Sequence, residues 1–335
     1  MITKYEDMAK TGDIRPSRFV SAVAIILYFY LFIGSIIVAI PIIYILFNNK
    51  EALFNAVYMT NTMEFFEKYI PPMLNYILTN FSIYFMLFGV YIAVKFIHYR
   101  PLKTLITTKP KIQWNRFFIG FLVFGVLLLL GTAIDYLISP KTYSITFDAS
   151  KFWIALPIIL IMTPIQTCTE ELVFRGYVIQ SFGLKIKNGI ILSIISGALF
   201  ALPHLANPEI YASTKLGVFS TICMVLNYFV VGVMLAIITI KTNSLEAAMG
   251  AHTVNNLICF LLIGYPDGAL PTNTVFYSSQ FEPISSLVST IIIGVLFYII
   301  TAALIGERKN LLTKPMLSEQ SFSEENASDT EDNLN

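Results

Sequence analysis

Apolar residues run along this chain in long, nearly charge-free stretches, without the alternation or three-to-four-residue periodicity of a water-facing protein. Eight stretches are long enough, or nearly so, to cross the ~30 Å of bilayer hydrocarbon. They are Phe19–Phe47, Tyr69–Val94, Phe117–Ile134, Phe152–Thr169, Gly189–Pro203, Leu216–Ile240, Leu245–Tyr265 and Ile284–Ile305. A segment in lipid must satisfy its own backbone hydrogen bonds, and the alternation of a membrane β-barrel is missing from all eight. The pattern predicts an all-α fold: a polytopic transmembrane bundle of about eight helices. It divides into a polar N-terminal segment (1–18), helices one to three (19–148), a core of helices four to seven (149–265), helix eight with its preceding loop (266–306) and an acidic tail (307–335).

Charge orients the bundle. With the N-terminus in the cytoplasm, 17 of the 22 Lys and Arg residues fall on the cytoplasmic side and only Lys50, Lys68, Lys141, Lys151 and Lys215 outside. That bias predicts both termini in the cytoplasm of a cell membrane. The tail from Ser318 to Asn335 has six acidic and no basic residues and is expected to be disordered. Composition agrees with a lipid solvent: 56% of residues are hydrophobic, 13% charged, and the mean hydropathy is +0.70. Nothing in the sequence points to nucleic acid. Cys168, Cys223 and Cys259 all lie in apolar segments with no paired spacing and read as small buried side chains. The first apolar run is too long for a signal peptide.

Ionisable groups at membrane depth cost at least ~2.5–3.5 kcal/mol each, so each marks a candidate functional site. Three places stand out. At the end of the fourth run, Glu171 and Arg175 are four apart on a helix, acid first, which favours an ion pair. Glu170 points about 100° away and is left for a partner on another helix. In the fifth run Phe200 and His204 share a face, with Pro203 expected to bend the helix. In the seventh, His252 and Asn256 share a face, and Asn255 points elsewhere, toward a separate interhelical contact. His98 sits at a helix end and reads as solvated or at headgroup level. Taken singly, each cluster also has a structural reading: a wetted helix end for the glutamates, a packing contact for His204. Together they place one free carboxylate, two imidazoles and an amide on three helices. A carboxylate with an imidazole can activate water, and an imidazole with an amide can hold an oxyanion. Two histidines and one glutamate (His204, His252, Glu170) could equally bind Zn²⁺ with a position open for water, although the spacing is not HExxH.

EExxxR at Glu170–Arg175, FxxxH at Phe200–His204 and HxxxN at His252–Asn256 resemble the CPBP family of intramembrane proteases. That family contains the type II CAAX prenyl endopeptidases and the Abi proteins linked to bacteriocin processing and self-immunity. The resemblance covers about residues 150 to 265. It implies Glu170 as general base with His204 as its partner, and His252 and Asn256 as an oxyanion hole. Glu171 and Arg175 would support the site, with Phe200 beside it. It implies no required cofactor, with zinc as the alternative, a peptide or membrane-protein substrate, and a multi-pass protein of the bacterial plasma membrane; the chain names no partner protein. Helix six carries no motif and is expected only to complete the core. A catalytically silent scaffold of the same fold, and a transporter using the carboxylates as a proton relay, are the competing readings. One tension remains in depth, since Glu170 lies late in its run and His204 late in a run entering from the other side. Extension of the fourth helix to about Phe182, through the apolar GYVIQSF, would relieve it.

Overall fold

In the computed structural model, residues 4–58 and 68–306 are described. The acidic tail, 307–335, lies outside the described residues. All eight apolar runs form helices. They are α1 (Pro16–Asn48), α2 (Pro72–Ile97), α3 (Trp114–Ile138), α4 (Ala149–Phe182), α5 (Gly189–His204) with the short α6 (Pro208–Thr214), α7 (Val218–Thr242), α8 (Glu246–Leu257) and α9 (Pro283–Ile305). Six of them, α1 to α4, α7 and α9, are long and apolar enough to cross a membrane alone, which makes this a multi-pass membrane protein. The pair α5 and α6 gives a seventh span if counted together, and it bends by 82° just after His204, where Pro203 ends the regular helix. The seventh predicted span, α8, is shorter than expected. It runs into a π turn, Ile258–Leu262, and ends in a strand rather than continuing to Tyr265.

α4 reaches Phe182, as its apolar extension predicts. A π turn at Leu172–Tyr177 follows Glu171 directly, and such wide turns inside helices commonly mark functional sites. Asp148 caps the start of α4 by accepting from the backbone of Ser150 and Lys151, and Asn188 caps α5 through Ile190 and Ile191.

α8 is the helix at the centre, packed against α3, α4 and α7. Ala247, Ala248, Gly250 and Ala251 leave it thin enough for neighbours to come close. The crossing with α3 is reciprocal: a Cβ on Gly250 would lie 2.0 Å from the carbonyl oxygen of Phe117, and one on Gly120 would lie 2.0 Å from that of Ala247. Backbone cannot yield as a side-chain tip can. Gly250→Val is therefore expected to destabilise the bundle by about 3 kcal/mol or more, read as a lower thermal midpoint in detergent. An unchanged melting curve would show that α3 and α8 part freely.

Among the described residues, segments that the charge bias places on one side meet at one end of the bundle. The N-terminal stretch folds back over that end: a 3₁₀ turn, Tyr5–Thr11, buries Tyr5. The Tyr5 backbone donates to Asn243 Oδ1 at 3.0 Å, Lys187 pairs with Asp7 at 2.9 Å, and Arg100 Nη1 donates to Gln180 Oε1 at 2.6 Å. This cover corrects the expectation for His98. The ring is not solvated but 2% exposed, with Nδ1 2.7 Å from the Asp13 carbonyl oxygen and Nε2 3.0 Å from the Tyr177 hydroxyl. Burial pushes its pKa below the usual histidine range. At the opposite end a small sheet, absent from the sequence reading, joins β1 (Tyr143–Ile145), β2 (Ile263–Gly264) and β3 (Phe276–Ser278) in the order β1-β3-β2, antiparallel and then parallel.

Candidate active site

The glutamate pair divides as its helical phase requires. Glu171 is fully buried and its Oε1 accepts from Arg175 Nη1 at 2.8 Å on the same helix. The same oxygen lies 2.8 Å from His252 Nδ1 on α8. A carboxylate already paired to a guanidinium can only accept, so His252 carries a proton on Nδ1 and turns Nε2 the other way. Arg175 also donates to the carbonyl of Gly232 on α7 at 3.3 Å and lies 4.1 Å over the Phe200 ring of α5. One buried guanidinium thus ties four helices together around His252.

Glu170 takes no part in that network. Its Oε1 accepts from Gln166 Nε2, one turn earlier, at 3.3 Å. Its Oε2 faces His252 Nε2 at 3.9 Å. That is too long for a direct hydrogen bond, and a gap of this size between two polar atoms is one that a single water spans.

His204 ends α5, with Nδ1 2.7 Å from its own Phe200 carbonyl, so that Nδ1 donates and Nε2 is the free nitrogen. Among the described residues, no hydrogen bond or ion pair joins it to Glu170, and the two face each other across a shared space. Its ring lies between Phe200, at 4.4 Å, and Tyr228 of α7, at 4.6 Å. Asn255 does not point to a separate helix contact as expected. Its Nδ2 donates to Asn256 Oδ1 at 3.0 Å, and both amides face the same space as His252. That bond fixes the neighbouring amide with Nδ2 of Asn256 as its free donor.

The shared space is a cavity of about 2230 Å³ lined by Glu170, Phe200, His204, His252, Asn255 and Asn256, with apolar walls from α1, α2, α3 and α9. It far exceeds the ~300–1,000 Å³ of small-molecule sites and has room for a peptide segment. Glu171 and Arg175 are walled off from it.

Sequence reasoning missed Gln166, Tyr228 and Glu209. Gln166 is readable in hindsight, four residues before Glu170 on the same face. Tyr228 stands on a helix without a motif, and nothing in its spacing announces it. Glu209, on α6, is 2% exposed and accepts from the Tyr265 hydroxyl at 3.2 Å and the Ala269 backbone at 2.8 Å, tying the bent helix to the loop beyond α8.

Among the described residues, no group of three or more His, Cys, Asp or Glu side chains is placed to hold a metal ion. The Nδ1 atoms of His252 and His204 are committed, to Glu171 and to the Phe200 carbonyl, and each ring keeps its Nε2 toward the cavity.

Comparison with known proteins places the same region in a known setting. The family profile described as "Type II CAAX prenyl endopeptidase Rce1-like" matches residues 150–258, the stretch from the start of α4 to the end of α8. The uncharacterized protein YyaK of Bacillus subtilis (strain 168) is 34% identical over 230 residues, which is 68% of this chain and 74% of the relative. No solved structure matches.

Proposed function

This chain belongs to the type II CAAX prenyl endopeptidase Rce1-like family, and from that membership and the geometry above we propose that it is an intramembrane endopeptidase acting through a glutamate-activated water. The observation that carries the reading is the division of the glutamates. Glu171 is consumed in fixing His252, while Glu170 is left with one oxygen toward the cavity and 3.9 Å from Nε2 of that histidine.

In the proposed reaction, water held by Glu170 gives up a proton to the carboxylate and attacks the peptide carbonyl carbon. The oxyanion that forms is held by Nε2–H of His252, charged and steadied at Nδ1 by Glu171, and by Nδ2 of Asn256. His204, with Nε2 open to the same cavity, orients the water. The proton then passes from Glu170 to the leaving nitrogen as the C–N bond breaks. Charge is balanced at each step. Glu170, Glu171, Arg175 and protonated His252 sum to zero, and the proton gained by Glu170 is matched by the negative oxygen beside it. In a site of low dielectric that balance avoids a large solvation cost.

The substrate is a peptide or membrane-anchored protein entering from the bilayer. The Bacillus relative supports a bacterial cell membrane as the setting, and the resemblance of the motifs suggests processing of a bacteriocin or pheromone or a role in self-immunity. The test is a mass-spectrometric screen of peptide pools incubated with the full-length protein in vesicles. Cleavage is expected to survive chelation by EDTA and 1,10-phenanthroline and to disappear in His204→Ala. Cleavage lost on chelation and restored by Zn²⁺ would overturn the metal-free mechanism. Cleavage that persists in both Glu170→Ala and His204→Ala would end the proposal.

A further inference from the structure

We propose that Tyr228 is a positioning residue for His204, completing from α7 a ring stack that the three sequence motifs do not contain. The inference rests on the reading of His204 as part of a hydrolytic site.

His204 is the last residue of α5, directly before an 82° bend, where helix ends normally fray. Its hydrogen bond from Nδ1 to the Phe200 carbonyl, at 2.7 Å, still permits the ring to rock about that contact. Two aromatic rings remove this freedom. Phe200 lies on one side with centroids 4.4 Å apart and Tyr228 on the other at 4.6 Å, tilted by 34°. Phe200 is in turn backed by the Arg175 guanidinium at 4.1 Å, so the column Arg175–Phe200–His204–Tyr228 runs through α4, α5 and α7.

Tyr228 is itself anchored. Its hydroxyl accepts from Asn207 Nδ2 at 2.9 Å, and the Asn207 backbone donates to the His204 carbonyl at 3.0 Å. The turn that carries His204 out of α5 therefore comes back to hold the ring stacked on it. Packing alone would ask only for an apolar side chain at 228. A flat ring packed at 34° to the imidazole and pinned at its far end fixes the direction of Nε2. Placement of this kind matters because an error of about 1 Å in a reacting group costs on the order of 10²-fold in rate.

The experiment uses the full-length protein in detergent or vesicles, with the peptide that the wild type cleaves in the screen above. Tyr228→Phe keeps the ring and is expected to retain kcat within about threefold. Tyr228→Leu is expected to lower kcat by roughly 10²-fold with KM within about twofold. Asn207→Ala, whose side chain caps no helix end, is expected to show a smaller loss of the same kind and serves if Tyr228→Leu does not fold. The chain has only three histidines, so ¹⁵N-histidine NMR gives a readout independent of activity. The His204 ring signals, assigned with His204→Gln, should shift or broaden in Tyr228→Leu or Asn207→Ala while those of His98 stay in place. Full kcat in Tyr228→Leu, unchanged His204 signals, or equal losses in Tyr228→Phe and Tyr228→Leu would each overturn the proposal. A wild type that cleaves no peptide would count against the proteolytic reading, and the NMR comparison would still decide whether Tyr228 positions the ring.

Discussion

Glu170→Gln is expected to lower peptide cleavage by about 10³-fold or more while leaving the protein folded. The substitution keeps the shape and both polar atoms, so Gln166 retains a partner and no cavity forms. What disappears is the one group able to take a proton from water at this point. General-base catalysis contributes about 10²–10⁴-fold by itself, and here the lost charge also unbalances the cluster around His252. Initial rates on a cleaved peptide, with thermal melts of both proteins, check the result. Normal melting with lost cleavage is the expected pair. If Glu170→Gln kept even a tenth of the rate, water would have to be activated elsewhere. A scaffold or a proton-coupled transporter becomes the better reading only if the wild type cleaves nothing, and flux measured in the same vesicles distinguishes the two.

That expectation was within reach of the sequence, because the two glutamates sit one residue apart on a helix and cannot face the same way. The i, i+4 pairing of Glu171 with Arg175 and the extension of α4 to Phe182 were legible for the same local reason: both follow from helical phase and apolar continuity. What was not legible is whatever depends on a second helix arriving from elsewhere. The sharing of Glu171 Oε1 between Arg175 and His252 crosses 81 residues of chain. The Tyr228 contact comes from a helix that carries none of the three motifs. His98 was misplaced because its own neighbourhood, HYRPLK, is polar, and the cover that buries it comes from 85 residues earlier. Asn255 was misjudged by a different error. At the end of α8 the helix widens into a π turn, and both amides reach the cavity despite the ~100° between successive residues. The shortness of α8 has a related cause: hydropathy alone does not distinguish a span facing lipid from a helix enclosed by protein.

The second large effect separates stability from chemistry at Glu171 and Arg175. Arg175→Met alone is expected to destabilise the bundle by about 3–5 kcal/mol, because it leaves a fully buried carboxylate without its cation. It also removes the contact to the Gly232 carbonyl and the cation over Phe200. Adding Glu171→Gln should return most of that stability, since a neutral amide beside a thioether carries no buried charge and occupies nearly the same volume. Cleavage should not return with it. A glutamine at 171 can still accept from Nδ1 of His252, but it supplies no negative charge behind the ring when the oxyanion forms. Thermal midpoints and cleavage rates for wild type, the two single variants and the pair make a double-mutant cycle in each quantity. The cycles are expected to disagree, with recovery in melting and none in rate. Recovery of both would mean that Glu171 and Arg175 only fasten the four helices together. A single Arg175→Met variant that melts like the wild type would mean that the buried pair is not what secures the core around His252.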